Sequence, residues 1–173
     1  LFALKVAHEL GWNTKSALHG QARENLAWFL NRPLRVCGMV PNAGEPGGGP
    51  FWVHNKSGID SLQIVEAAEV NARQKKQAQI LNASTHFNPV DFICGIYNFR
   101  GEKYDLEKFK NKERGMISHK TYEGRKIKVM ELPGLWNGGM AEWLTIFIEM
   151  PATVFAPVKT VLDLLRDEHQ ASL

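Results

Sequence analysis

The feature that most constrains the fold of this chain is a buried strand followed at once by a glycine-rich loop. Residues 34–40 read Leu-Arg-Val-Cys-Gly-Met-Val, an almost continuous apolar run that is typical of a strand covered on both faces. Residues 41–50 read Pro-Asn-Ala-Gly-Glu-Pro-Gly-Gly-Gly-Pro, and together with Gly38 they hold five of the chain's 15 glycines. The two segments predict a sheet protein with a glycine-rich loop at the end of one buried strand.

Strand and helix patterns alternate along the rest of the chain. Apolar runs predict further strands at 51–53, 61–65, 91–97, 126–129 and 144–150. Helical spacing predicts helices over 1–10 and 16–30 and a solvated helix or connector within 71–81, and a capping box of Thr160 and Asp163 predicts a terminal helix to about Glu168. We therefore expect an α/β fold, a mixed sheet with flanking helices, in which residues 1–31 form a helical hairpin and residues 32–173 one unit.

Composition excludes several classes of protein. With 173 residues, 44% of them hydrophobic, the chain is long enough to bury the core of one domain. The 21 basic residues nearly balance the 18 acidic ones, so we expect no nucleic-acid partner, and no apolar run is long enough to span a membrane. Cys37 and Cys94 both fall in apolar runs and are expected to be buried and reduced, which indicates a cytoplasmic protein; a single disulfide is the alternative.

The glycine-rich loop is the strongest candidate for ligand contact. Its three consecutive glycines, Gly47, Gly48 and Gly49, lack Cβ atoms, so successive backbone N–H groups can converge on an anion or on the face of a flat ring. The loop has neither the Gly-Lys-Ser/Thr of a phosphate-binding P-loop nor the glycine spacing of a dinucleotide-binding fold. The alternative is a tight turn between two strands.

Three other residues are candidates for binding. Lys159 follows a strand end and precedes the terminal helix, a position that suits a phosphate, although most lysines are simply solvated. Asn137 can both donate and accept hydrogen bonds within a second glycine-rich segment, residues 132–143, whose two tryptophans either stack on a ligand or pack in the core. Glu66, after the strand 61–65, is either a site carboxylate or a solvated strand end.

Metal and hydrolase chemistry are not predicted. The six histidines are scattered at no ligand spacing, so we expect no metal site in this chain. No serine lies in a Gly-x-Ser-x-Gly frame, which leaves a hydrolase triad without support.

Six short motifs, taken in order, resemble the C-terminal part of a long, uncharacterised bacterial family that is classed as a domain of unknown function. Among them are Gly-Glu-Pro-Gly-Gly-Gly-Pro-Phe-Trp at 44–52 and Phe-Ala-Pro-Val-Lys-Thr at 155–160; the others lie at 35–40, 62–66, 87–91 and 131–138. The resemblance extends over about residues 32–170. It implies no particular activity, because the family has none established.

More distantly, the same order of motifs is similar to sugar nucleotidyltransferases of the UDP-N-acetylhexosamine pyrophosphorylase type. This resemblance implies a pocket whose sugar and phosphate side is lined by the glycine-rich segment, by the turn that holds Asn88 and by a late element with Lys159. Glu66 would then meet sugar hydroxyls, and Lys159 would be the catalytic residue that meets phosphates. Thr160 stands where these enzymes have an asparagine.

The N-terminal elements of such enzymes have no match here. Residues 1–31 contain neither their nucleotide-binding loop nor their Mg²⁺-binding aspartate, and the chain opens at Leu1 without a methionine. The resemblance therefore implies a fragment that binds a sugar phosphate or sugar nucleotide and is not active alone, completed by an upstream region of the same protein and by Mg²⁺ held outside this chain. A non-catalytic sugar- or nucleotide-binding module, or a structural or interaction domain, is the alternative.

Overall fold

The computed structural model describes residues 2–10, 26–27, 29–42, 48–54, 60–88, 92–135, 137–151, 158 and 160–170. It contains the helices α1 (Phe2–Glu9) and α2 (Lys75–Asn82). Its eight strands are β1 (Leu34–Pro41), β2 (Gly49–His54), β3 (Asp60–Val65), β4 (His86–Phe87), β5 (Phe92–Gly95), β6 (Met116–Tyr122), β7 (Arg125–Glu131) and β8 (Leu144–Glu149). Short 3₁₀ helices lie at Ala67–Glu69, Leu106–Phe109, Val161–Leu165 and Asp167–His169.

A four-stranded mixed sheet is built around β1. Strand β8 runs parallel to β1, with Leu34 opposite Leu144 and Met39 opposite Glu149. Strands β5 and β4 pair with β1 in the antiparallel sense, near its start and its end respectively. The mixed α/β class predicted from the sequence is therefore confirmed, although the described part of the chain has few helices.

The four remaining strands form two antiparallel hairpins. In the first, β2 pairs with β3, and Gly49 lies opposite Val65. In the second, β6 pairs with β7 through a tight turn at Glu123 and Gly124, both of which have positive φ angles. The predicted strands at 51–53, 61–65 and 126–129 lie within these hairpins, whereas residues 55–59, between β2 and β3, lie outside the described residues.

The core joins the first hairpin to the central sheet. Ile64 of β3 packs with Cys37 and Met39 of β1, and Phe147 of β8 closes this cluster. Because β1 is covered here, its interior positions are buried, as the apolar run predicts. The run also holds Arg35, which is buried and donates from Nε to the Thr145 hydroxyl at 3.0 Å.

Residues 1–31 are described only in part. Helix α1 confirms the first predicted helix, and its end before Gly11 agrees with the predicted stop. Of the second predicted helix, 16–30, only residues 26–27 and 29–30 are described; they are helical, and the N–H of Asn31 donates to the carbonyl of Ala27 at 2.9 Å. Phe29 packs against Leu144 in a small second cluster.

Two predictions about secondary structure were wrong. The run 91–97 was expected to be a buried strand, but β5 is a short exposed strand in which Ile93 is 76% exposed and Cys94 is an exposed free thiol. An apolar run has the same sequence signature whether or not a second layer covers it, so the sequence could not exclude an uncovered strand. The terminal helix is replaced by two 3₁₀ turns, because Arg166 between them takes an extended conformation. Its predicted capping box is present, since the N–H of Thr160 donates to Asp163 Oδ2.

Candidate functional site

The described glycines of the first glycine-rich loop are packed against the hairpin β2–β3. Gly48 is buried, and a Cβ on it would lie 2.7 Å from Ile64 Cγ2 and 3.1 Å from Glu66 Oε1. A Cβ on Gly49 would meet Ser84 Oγ at 3.0 Å and the His86 carbonyl at 3.1 Å. Close packing therefore favours glycine at both positions, most strongly at Gly48. Gly47 lies outside the described residues.

Asn88 links the central sheet to the glycine-rich loop. Its N–H donates to the Gly48 carbonyl at 2.8 Å, and its side-chain Nδ2 donates to the Gly38 carbonyl at 3.0 Å. Its Oδ1 is buried and has no hydrogen-bond partner among the described residues. An unsatisfied buried acceptor is unfavourable by about 1–3 kcal/mol, which a donor from a ligand or water would relieve.

The Glu66 carboxylate lies beside Gly48 at the end of β3. Burial raises the pKa of Glu66 above its usual value, and repulsion from Glu69 and Glu131 raises it further. Such a carboxyl group is protonated more readily than one in water. Three predicted site residues, Gly48, Glu66 and Asn88, thus come together from three separate segments of the chain.

A buried ion pair holds the backbone at Glu66. Glu69 receives two hydrogen bonds from Arg114, from Nε to Oε1 and from Nη2 to Oε2, each at 2.8 Å. The two side chains are only 8% and 16% exposed. Glu69 Oε2, which already accepts from Arg114 Nη2, also accepts the N–H of Glu66 at 3.0 Å. This pair was not predicted from the sequence, because the two residues are 45 positions apart and neither differs in its local pattern from the many other charged residues.

Asn137 fixes the second glycine-rich segment from inside. It is buried; its Oδ1 accepts the N–H of Gly134 at 3.0 Å, and its Nδ2 donates to the carbonyls of Arg114 and Leu132 at 3.3 and 3.4 Å. The side chain therefore stabilises the loop and anchors it to the residue that pairs with Glu69. In the structure the Asn137 side chain is enclosed by the protein, and these three hydrogen bonds are all to backbone groups. Its predicted role in binding stays a prediction.

The second glycine pair, Gly138 and Gly139, is also required by packing. Gly138 has a φ angle of +83°, and a Cβ there would lie 2.6 Å from Arg114 Cβ. A Cβ on Gly139 would collide with the Gly134 carbonyl. Trp143 is buried, which supports the packing alternative for this tryptophan, whereas Trp136 lies outside the described residues. Lys159, the predicted catalytic residue, also lies outside them.

A groove of about 1070 Å³ runs along the outer side of the first hairpin. Strand β2 contributes Trp52 to its lining, helix α2 contributes Lys76 and Ile80, and residues 110–115 line it as well. The Glu69–Arg114 pair lines this groove as well. The predicted site residues that are described do not line it, so the ion pair is what connects the groove to the Glu66 cluster.

The described segments hold neither a metal-binding cluster nor a membrane-spanning helix. There, no three His, Cys, Asp or Glu side chains lie close enough together to hold a metal ion. None of the described helices combines the length and the apolar character that crossing a membrane requires.

Fold and site together define a mixed α/β chain in which a Glu–Arg ion pair and its hydrogen bonds connect two glycine-rich segments beside the central sheet. The chain belongs to the family described as "Domain of unknown function (DUF4301)", which matches residues 4–170 and confirms the expected kind of family. No protein with a curated function matches the sequence.

Several solved structures are similar to the chain. One is a point mutant of UDP-glucose pyrophosphorylase from Leishmania major in complex with UDP-glucose, at 20% identity and a TM-score of 0.46, covering 81% of this chain and 32% of that one. Another mutant of that enzyme, also in complex with UDP-glucose, has 18% identity and a TM-score of 0.48, and covers 84% and 35%. The chain spans about a third of the length of these structures.

Proposed function

We propose that this chain is the sugar-side part of a protein that binds a sugar phosphate or sugar nucleotide, and that it does not transfer a nucleotidyl group alone. The observation that supports the proposal is the convergence of Gly48, Glu66 and Asn88, with the Asn88 N–H on the Gly48 carbonyl and the Glu66 carboxylate against the Gly48 backbone. The same three residues fall in the motifs that carry the family resemblance.

The chemistry of the cluster suits a polyhydroxyl ligand. The Glu66 carboxylate and Asn88 Oδ1 are acceptors, and sugar hydroxyls supply donors. A ligand hydroxyl that reached Asn88 Oδ1 would also remove the penalty of leaving that atom unpaired. In this proposal Lys159 meets the phosphate and Gly47 contacts the ligand. The closely packed Gly48 and Gly49 hold the loop beside Glu66, and Asn137 holds the neighbouring segment in place.

The reaction implied by the resemblance is attack of a sugar phosphate on a nucleotide phosphorus, which depends on positioning and charge neutralisation. Mg²⁺ would supply part of that neutralisation. The described carboxylates form no metal-binding set, so its ligands are proposed to lie elsewhere in the complete protein. We also propose that the complete protein is of the UDP-N-acetylhexosamine pyrophosphorylase type and that it is bacterial. A cytoplasmic location, which the free, exposed Cys94 thiol supports, is part of the same proposal.

A calorimetric titration of the complete protein with UDP-N-acetylglucosamine tests the proposal. We expect binding that Lys159→Ala weakens by at least about 1.5 kcal/mol, roughly tenfold, as for the loss of a charged hydrogen bond. Glu66→Gln, which keeps the shape and removes the charge, should weaken it as well. Glu9→Gln changes an exposed carboxylate of α1 and serves as the matched control.

The outcomes separate three functions. Binding together with pyrophosphate release in a turnover assay supports an enzyme, and binding without turnover supports a non-catalytic module. Absence of binding to UDP-N-acetylglucosamine, UDP-glucose and glucose 1-phosphate, or binding that both site variants leave unchanged, would refute the proposed site and favour a structural or interaction domain.

A further inference from the structure

The β6–β7 hairpin carries an uncovered apolar face. Ile117 and Met130 lie directly opposite each other in the strand register, on the same face, and are 59% and 75% exposed. Leu132, just beyond β7, is exposed too. The opposite face of the hairpin is half-buried at Ser118 and Val129, so the face of Ile117 and Met130 is the one left in water. A two-stranded hairpin gains stability when a partner covers such an apolar face.

The same face is basic toward its tip. Lys128 and Lys126 lie two and four positions before Met130 on β7, so they share its face of the hairpin. Their cross-strand partners are His119 and Thr121. On this face of the strands the charged residues are Lys126 and Lys128, with no acidic residue among their cross-strand partners, whereas Lys120, Arg125 and Glu131 lie on the opposite face. The hairpin as a whole, residues 116–131, has a net charge of +2. The surface therefore combines an apolar base with a positively charged end.

The C-terminal segment, residues 160–170, has the complementary character. Its Val161, Leu162 and Leu165 are exposed, Val161 by 81%. Three acidic residues, Asp163, Asp167 and Glu168, oppose one basic residue, Arg166, so the net charge is −2. The segment is thus apolar and acidic where the hairpin is apolar and basic. Since both surfaces are exposed in the same folded chain, the segment does not cover its own hairpin.

We propose that the C-terminal segment of one copy of this chain docks on the β6–β7 hairpin of a second copy. Hairpin on hairpin would bring two positive surfaces together, and segment on segment two negative ones, so charge favours the unlike contact. One segment is small against the roughly 800 Å² that each partner buries in a stable interface. A two-fold dimer in which each copy covers the other forms this contact twice.

Sedimentation equilibrium of the full chain, at several protein concentrations and at low and high salt, tests the inference. We expect a dimer that dissociates on dilution and is weakened by salt. Met130→Asp and Leu165→Asp should each yield monomers. Phe99→Asp, a change at another exposed apolar residue outside both surfaces, should leave the dimer intact.

A mixing experiment separates lost docking from misfolding. An equimolar mixture of the Met130→Asp and Leu165→Asp variants restores one of the two contacts, so it should associate more weakly than the wild-type chain but measurably more strongly than either variant alone. Lys128→Glu should weaken the dimer, and Asp167→Lys in the same chain should restore it. A wild-type chain that is monomeric at every concentration, or a dimer that neither aspartate variant disrupts, would overturn the proposal.

Discussion

The Glu69–Arg114 pair gives the sharpest test of the site's architecture. Replacing Arg114 with alanine leaves the Glu69 carboxylate, 8% exposed, without the two 2.8 Å hydrogen bonds that neutralise it. Removing one partner of a buried ion pair destabilises proteins by about 3–5 kcal/mol, because the remaining charge stays out of water. Since Glu69 also accepts the N–H of Glu66 and Arg114 is 16% exposed, we expect the lower end, about 3 kcal/mol.

Two variants serve as internal controls, read by urea denaturation with the slope of the transition monitored. Lys5→Ala breaks an exposed i,i+4 pair with Glu9 and should change the free energy of unfolding by less than about 0.5 kcal/mol. The double variant Glu69→Met with Arg114→Met removes both charges, keeps an apolar filling and should recover most of the loss. If Arg114→Ala were no more harmful than Lys5→Ala, or if the double variant were as unstable as the sum of the single changes, the pair would not be a buried, mutually neutralising unit.

Three further predictions concern the thiols, Glu66 and Gly138. Burial raises the pKa of Cys37 to about 11, so a thiol reagent at neutral pH should modify the exposed Cys94 first and reach Cys37 only on unfolding, as counted by mass spectrometry. Folding raises the pKa of Glu66, so the folded protein binds the Glu66 proton more tightly than the unfolded chain does. The resulting contribution to the free energy of unfolding is present at low pH and is lost as pH rises through the raised pKa. Glu66→Gln should therefore flatten that part of the stability profile and stabilise the protein at neutral pH, and an unchanged profile would contradict the assigned burial. Gly138→Ala should lower the melting temperature strongly, because a φ angle of +83° and contact with Arg114 both oppose a Cβ, whereas Gly101→Ala at a φ angle of +80° in open space should be milder.

Local patterns in the sequence predicted where most of the strands lie along the chain, together with part of the site. The runs that became β1 and β8 are long, mostly apolar and followed by proline, so their strand type could be expected from composition. Whether a second layer covers a strand depends on distant segments, and for that reason the exposure of β5 was not foreseen. Gly48, Glu66 and Asn88 could be named from motifs, but that the glycines are packed and Asn137 is enclosed follows only from the fold.

The Glu69–Arg114 pair also explains how two glycine-rich segments stay in register. A buried ion pair stabilises a fold no more than apolar side chains of similar volume would, so its contribution here is directional. The backbone carbonyl of Arg114 accepts a hydrogen bond from the Asn137 side chain, and the Arg114 guanidinium donates to the Glu69 carboxylate. Glu69 in turn accepts the backbone N–H of Glu66. This continuous chain of hydrogen bonds fixes the 132–138 segment relative to the end of β3. Arg114→Met alone should therefore disturb ligand binding at Glu66 more than stability accounts for, whereas an apolar contact of equal energy would leave the two segments free to slide past each other.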